Sequence, residues 1–304
     1  MSAKAARPVL IGVLSESWGP TPHVVGLRDG LVALGYRENE QFVIAVRFTS
    51  GDLAALSTAA RDLVRQGAQV LVPSSGDALA AAHAATATIP IVFAGGGDDP
   101  VRRGLVKSFA RPGGTVTGVV DLGVELAGKR LELFREMIPG LKRVLVPYSA
   151  TDRYTVLEAE AYRDAARRLG ITLVERPVAS QKEAQAALAG VRKPDVQGII
   201  APHSVAWNLP GFALEATAKQ RIPTMFPASF FVERGGLASY GPDYYATGRQ
   251  AARLVDKIIK GGKPGEIPIE SNPRIEFAIN LTVARQLGLD IPPAVQARAD
   301  RVIE

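Results

Sequence analysis

The sequence predicts an α/β protein of two similar lobes, each a parallel sheet flanked by helices, joined by a hinge of three chain segments. Three observations predict it. Short β-branched runs alternate with segments whose apolar residues recur at helical spacing. The alternation occurs twice in the same order: Leu34-Gly35-Tyr36 returns as Leu169-Gly170-Ile171 and Ile89-Pro90 as Ile222-Pro223, at offsets of 135 and 133 residues. A chain of 304 residues also exceeds the usual size of one domain.

In the first half, Val9 to Leu14, Phe42 to Phe48, Gln69 to Pro73 and Ile89 to Ala94 are strand-like. Several show little polar alternation, as strands do in a parallel sheet covered on both faces. Helical spacing marks His23 to Leu34, Leu53 to Gln66 and Asp77 to Ala87. Gly35 and Gly67 follow two of these helices, where a left-handed C-terminal cap is wanted. In the second half, Arg143 to Ser149 reads as a strand and Tyr154 to Leu169 as a helix closed by Gly170. Thr172 to Val178, Val196 to His203 and Ile222 to Ala228 read as further strands.

The Gly/Pro-rich stretches Ala110 to Gly118 and Gly235 to Pro242 are expected to be interlobe crossings. Pro268 to Asn280, with its strand-like Ile275 to Ile279, is expected to be a third, because a helix from Tyr244 to Lys260 must first return to lobe one. The division expected is 8–119 plus 243–271 for lobe one and 120–242 plus 272–304 for lobe two.

Composition narrows the function. Hydrophobic residues at 47% and charged residues at 22% suit a globular protein with a real core rather than a disordered one. No apolar run approaches the roughly 20 residues that span a bilayer. The net charge of +6 permits nucleic-acid binding. However, the basic residues are dispersed, and the densest groups are pairs such as Arg102-Arg103 and Arg167-Arg168, which favours a solvated surface. The absence of cysteine excludes disulfides, thiolate catalysis and cysteine-ligated zinc. His23, His83 and His203 form no local metal signature. There is no nucleophile elbow, phosphate loop or dinucleotide fingerprint, and Gly95-Gly96-Gly97 lacks the spacing of the last. A catalytic role, a metal and a cofactor are therefore not expected. Met1 to Arg7 carries no apolar stretch behind its charges, so no signal peptide is read in this sequence.

In open parallel sheets, ligands collect at the carboxyl ends of strands, where loops and helix N-termini present unpaired N–H groups. The rule selects Ser15, Glu16 and Trp18, then Ser74, Ser75, Gly76 and Asp77, then Gly96 and Asp98. In lobe two it selects Tyr148 and Ser149, then His203, Ser204 and Trp207, then Ser229 and Phe230. Ser74-Ser75-Gly76 could clamp a carboxylate, or could simply cap a helix. Asp121 and Asp243, beside crossings, could take a ligand ammonium, cap a helix or pair with an arginine. Glu16 has a binding role only for a cationic group. Trp18, Trp207, Phe230 and Tyr240 could form ring-stacking walls or belong to ordinary packing.

Several segments together resemble the ABC transporter substrate-binding family that includes aromatic-amino-acid receptors, within the type I periplasmic-binding-protein fold of two Rossmann-like lobes. They are Gly26 to Tyr36 (GLRDGLVALGY), Ile89 to Ala94 with Asp99-Pro100-Val101, Gly104 to Gly118, and Gly128 to Leu133. Later come Phe231 to Leu237, Ser239 to Pro242, Ile279 to Ala284 and the terminal Ala299 to Glu304. The resemblance implies a monomeric periplasmic receptor without enzymatic activity, one that closes around an aromatic amino acid or small aromatic acid in the interlobe cleft and delivers it to a membrane permease. Members usually carry an export signal, often with an acylated cysteine, and neither is read here. The doublet Asp98-Asp99 also departs from the more usual single Gly-Asp-Pro.

A receptor for branched-chain or other aliphatic amino acids would share this fold and differ in pocket contents. A ligand-sensing regulator would need a helix-turn-helix of about 60 residues before the first strand, which here begins at Val9. An enzyme would need a nucleophile and base, and no such pair is legible.

Overall fold

The computed structural model describes residues 7–96, 99–193, 195–203 and 206–304. Contacts divide the chain into two compact units, Met1–Asp121 with Tyr244–Asn272 and Leu122–Asp243 with Pro273–Glu304. The chain therefore changes unit after Asp121, Asp243 and Asn272.

The first unit contains β1 (Val9–Ser15), α1 (Pro22–Ala33), β2 (Phe42–Phe48), α2 (Leu56–Arg65), β3 (Val70–Pro73), α3 (Gly76–Ala85), β4 (Ile91–Ala94) and β5 (Val116–Val120), then α9 (Tyr244–Ile259) and β11 (Glu270–Ser271). Its strands run in the order β2-β1-β3-β4-β5-β11, all pairs parallel. Alternate residues of β1 enter different cores. Ile11 and Val13 pack with Leu27 and Leu31 of α1 and Leu254 and Val255 of α9, while Leu14 packs with Leu56, Leu63, Leu71 and Ala78. Both faces are covered, so β1 has no polar face and reads as a continuous apolar run. Helices α1 and α9 meet at small residues: a Cβ on Gly26 would lie 2.1 Å from the Tyr245 carbonyl oxygen, and one on Gly248 would lie 2.1 Å from that of His23.

The second unit contains α4 (Ala127–Met137), β6 (Arg143–Ser149), α5 (Arg153–Leu169), β7 (Thr172–Val178), α6 (Gln181–Ala189), β8 (Gly198–Ile200), α7 (Leu209–Gln220), β9 (Thr224–Phe226), α8 (Ser229–Val232) and β10 (Ala238–Pro242). After the last change of unit come β12 (Ile275–Asn280), α10 (Leu281–Leu287), α11 (Pro293–Gln296) and β13 (Arg301–Ile303). The order β7-β6-β8-β9-β10-β12 repeats that of the first unit, with β13 added at the edge.

One strand departs from the expected parallel plan: β12 runs antiparallel to β10, pairing Ile275 with Pro242 and Ile279 with Ala238. The reason lies in where the chain enters. Ile275 starts beside the carboxyl end of β10, and the Asp243 amide donates to the Arg274 carbonyl at 3.0 Å. A strand starting there can only run back, whereas a parallel one needs a crossover first. In the first unit α9 supplies that crossover, and β11 is parallel to β5.

Strands β8 and β9 are much shorter than the apolar runs suggest. Proline cannot donate to a ladder, and Pro202, Pro223 and Pro227 lie just outside β8 and β9. The glycines expected to cap helices take positive φ, at 94° for Gly35, 85° for Gly67 and 65° for Gly170. Among the described residues no helix is long and apolar enough to cross a membrane, and no group of three or more His, Asp or Glu is placed to hold a metal ion.

Candidate functional site

In the first unit the carboxyl ends of four neighbouring strands bring polar groups into one place. After β1, the Ser15 hydroxyl donates to Ser17 Oγ at 3.0 Å and accepts the Ser17 amide at 3.2 Å, a local knot that turns the chain. The next residue, Glu16, is buried, and its Oε2 accepts from the Ser75 hydroxyl at 2.5 Å. Ser75 follows β3 and is the N-cap of α3, its oxygen accepting the Ala78 amide at 3.1 Å. One hydroxyl thus caps a helix and binds a carboxylate. Arg103 holds the first turn of α3 from outside, donating to the Gly76 carbonyl at 2.5 Å and to Asp77 Oδ1 at 2.9 Å. Neighbouring Ser74 is half-buried, and its hydroxyl has no protein partner among the described residues.

The loop after β4 closes the group. Gly95 and Gly96 take φ of 88° and 96°, conformations that L side chains rarely adopt. A Cβ on Gly96 would lie 2.8 Å from the Gly76 nitrogen, and one on Gly95 would lie 2.4 Å from Asp121 Oδ2 and 2.8 Å from His23 Nε2. The backbone therefore runs directly between the start of α3 and the Asp121 carboxylate. Asp121, one residue past β5 and buried, accepts the Gly96 amide at 3.2 Å and the Thr247 hydroxyl at 3.0 Å. Asn272 donates to Thr247 Oγ1 at 2.8 Å, and the His23 ring lies 4.0 Å from Asp121 and stacks on Tyr244 at 4.4 Å. The structure thus brings together Glu16, Ser75, Gly76, Gly96 and Asp121. Trp18 stands apart on the loop, 48% exposed. Asp98 lies outside the described residues.

In the second unit, Ser149 ends β6 fully buried. Its hydroxyl oxygen accepts the Asp152 amide at 3.2 Å and the Trp207 indole N–H at 3.1 Å. His203, just past β8, stacks edge-on against Tyr154 at 4.9 Å, and its amide donates to Glu158 Oε2 at 2.8 Å. The other Glu158 oxygen takes Arg130 Nη1 at 2.7 Å. Arg130 also contacts the Tyr162 hydroxyl and donates from Nε to the Tyr240 carbonyl at 2.8 Å. Arg130, Glu158 and Tyr162 are all fully buried. Burial pushes the Glu158 carboxyl upward, against the pull of Arg130 and the His203 amide. Burial also weighs against the charge on Arg130, but Tyr162 and Glu158 more than offset it and the guanidinium stays protonated.

The remaining candidates sit in separate contacts. Ser229 donates to Glu276, Phe230 lies under the Arg234 guanidinium at 4.0 Å, and Asp243 faces Arg274 at 3.8 Å. Tyr148 packs against the core of its unit and bonds Glu175. Ser204 lies outside the described residues. Sequence reasoning did not select His23, Thr247 or Asn272 in the first unit, nor Tyr154, Glu158, Arg130 or Tyr162 in the second. Of these, Tyr154, Glu158 and Tyr162 left a signal, a spacing of four that puts them on one face of α5.

The family model for "ABC transporter substrate binding protein" matches residues 13–303. The chain belongs to this family. As a substrate-binding protein it has the type I periplasmic-binding-protein fold. It is 26% identical over 266 residues to a tyrosine-binding protein of Clostridioides difficile, covering 87% of this chain and 76% of that one. A Streptococcus pneumoniae ABC domain solved in complex with L-Trp matches with a TM-score of 0.85 at 28% identity, over 97% of this substrate-binding protein and 100% of the other chain. A conserved domain protein from Vibrio cholerae matches with a TM-score of 0.86 at 32% identity, over 97% and 99% of the two chains.

Proposed function

We propose that this substrate-binding protein receives an amino acid with an aromatic side chain, closes around it between its two units, and delivers it to a membrane permease on the outer side of the cytoplasmic membrane, acting as a monomer and without chemical turnover. The observation that carries the reading is the juxtaposition at the strand ends of the first unit. A helix N-terminus with the Ser74 hydroxyl lies beside two buried carboxylates, Glu16 and Asp121. An α-amino acid carries the complementary pair of charges: its carboxylate suits Ser74 and the first amides of α3, and its ammonium suits a carboxylate. In the second unit Trp207 supplies an aromatic ring held in a fixed orientation, which suits a flat side chain. The tyrosine and tryptophan named for two relatives support the aromatic class.

Micromolar affinity requires only about 8 kcal/mol, within reach of two charge contacts and one buried ring. Closure would be a hinge motion absorbed where the chain changes unit, after Asp121, Asp243 and Asn272. Thermal unfolding with each of a panel of amino acids tests the reading, since a ligand that binds the native state alone raises the midpoint by mass action. A rise with L-tyrosine or L-tryptophan and none with L-leucine or L-valine is expected. A rise confined to the aliphatic set would transfer the assignment to a branched-chain receptor.

A further inference from the structure

We propose that Ser149 and Glu158, with Arg130 behind it, are positioning residues that hold Trp207 and the His203 amide in the arrangement that receives the ligand. The inference rests on the binding role given above to the second unit's strand ends. Two observations carry it. The first is the direction in which the buried pair is used. Glu158 spends one oxygen on Arg130 and the other on the backbone N–H of His203, just beyond β8 and next to Pro202, which cannot donate to the ladder. A buried ion pair is weak as a source of stability, since apolar residues of similar volume often serve equally well. What this pair supplies that apolar residues would not is a fixed acceptor for that amide.

The second observation is backbone strain at Trp207 and Asn208, consecutive non-glycine residues in the left-handed region with φ of 56° and 55°. Such residues persist only where their surroundings over-determine them. Here the surroundings are the Ser149 hydroxyl, wholly buried and accepting the indole N–H, and Gly211 of α7, where a Cβ would come within 2.3 Å of Asn208 Oδ1. Trp207 itself is only half-buried, so part of its ring remains available while its N–H is committed.

The chain has two tryptophans, so a Trp18→Phe background leaves Trp207 as the sole indole reporter, and every variant is compared within it. The decisive variant is Arg130→Met with Glu158→Leu, which removes both charges together. Acrylamide quenching of Trp207 without ligand and calorimetric affinity for L-tyrosine are read well below the unfolding temperature. At least a twofold rise in quenching and a tenfold loss of affinity are expected. A pair that only stabilised its unit would lower the unfolding midpoint and leave both readouts of the folded protein unchanged, and values within twofold of the background would overturn the proposal. Should this variant not fold, Ser149→Ala, which deletes one neutral hydroxyl, decides by the same criteria. If the background protein binds neither L-tyrosine nor L-tryptophan, the ligand reading fails on its own. Quenching alone then judges the positioning role, a rise supporting it and no change overturning it.

Discussion

At Ser75 a single hydroxyl serves both a helix and a buried acid, so its removal should show in stability before it shows in binding. Ser75→Ala loses the cap on the Ala78 amide and leaves the Glu16 carboxylate without that donor. The cap alone is worth about 1 kcal/mol, and thermal unfolding of the ligand-free protein should register at least that. Ser74→Ala should behave oppositely. Its hydroxyl has no protein partner among the described residues, so the unfolding midpoint should hold. Affinity for an amino acid should fall about tenfold, the worth of one hydrogen bond to a charged group. A third residue-scale test concerns Tyr36, whose hydroxyl donates to Asp256 at 2.7 Å. Burial and that bond push its phenol up to about 12. A phenol whose pKa is raised on folding contributes stability that is complete below its ordinary value of 10.0 and is lost as pH climbs towards about 12. The stability difference between wild type and Tyr36→Phe should therefore shrink across that window in urea titrations, and a constant difference would contradict it. Ser75 is selectable from sequence because it falls at a strand end, and Asp121 because it lies beside an expected crossing. Thr247, Asn272 and His23 are not, because their partners are remote in sequence and local patterning carries no information about such pairs.

At the scale of elements, α5 shows how a regular signal hides a special one. Its apolar spacing predicts an amphipathic helix, and Ala159, Tyr162, Ala165 and Ala166 do line the core. Glu158 sits on that same face, where a carboxylate must be paired. Glu158→Ala strands the Arg130 charge in the interior and should cost about 3–5 kcal/mol in denaturant unfolding, against a small effect for the exposed Glu160 of the same helix. Helix α5 is also tied to β7 by a two-pronged contact, Arg163 Nε to Glu175 Oε1 at 2.8 Å and Nη2 to Oε2 at 2.7 Å. The hydrogen bond from Arg163 lowers the Glu175 carboxyl. A lowered carboxyl contributes stability above the ordinary glutamate range and loses it as pH falls through the folded-state value. Glu175→Gln should therefore weaken the protein at neutral pH and converge with wild type in acid. Helices α6 and α7 are hard to read from sequence for different reasons. In α6 only Ala184 and Leu188 are buried, and α7 opens on Leu209-Pro210-Gly211 directly after a left-handed Asn208. Strand β9 stops short where Pro223 and Pro227 flank it, whereas β6 and β7 keep Pro147 and Pro177 within them.

For the whole molecule, the repeated plan was legible because each unit needs the same elements to bury a parallel sheet on both faces, and the recurring Leu-Gly and Ile-Pro pairs mark equivalent positions. The reversal of β12 was not legible: Ile275 to Ile279 has the pattern of a strand in either direction, and only its entry beside Pro242 decides between them. The site followed the same division. The strand-end rule named residues that converge in the first unit, but it could not say which hydroxyls would already be engaged, as Ser149 is by Trp207 and Asp152. The proposed reading is a receptor that prefers an amino acid with an aromatic side chain, and calorimetric titration with L-tyrosine and L-tryptophan beside L-leucine tests it most directly. Saturable heat at one site per chain is expected for an aromatic amino acid, with L-leucine at least a hundredfold weaker, a difference of about 2.7 kcal/mol. Equal or tighter binding of L-leucine, or no heat with either aromatic amino acid, would contradict the reading.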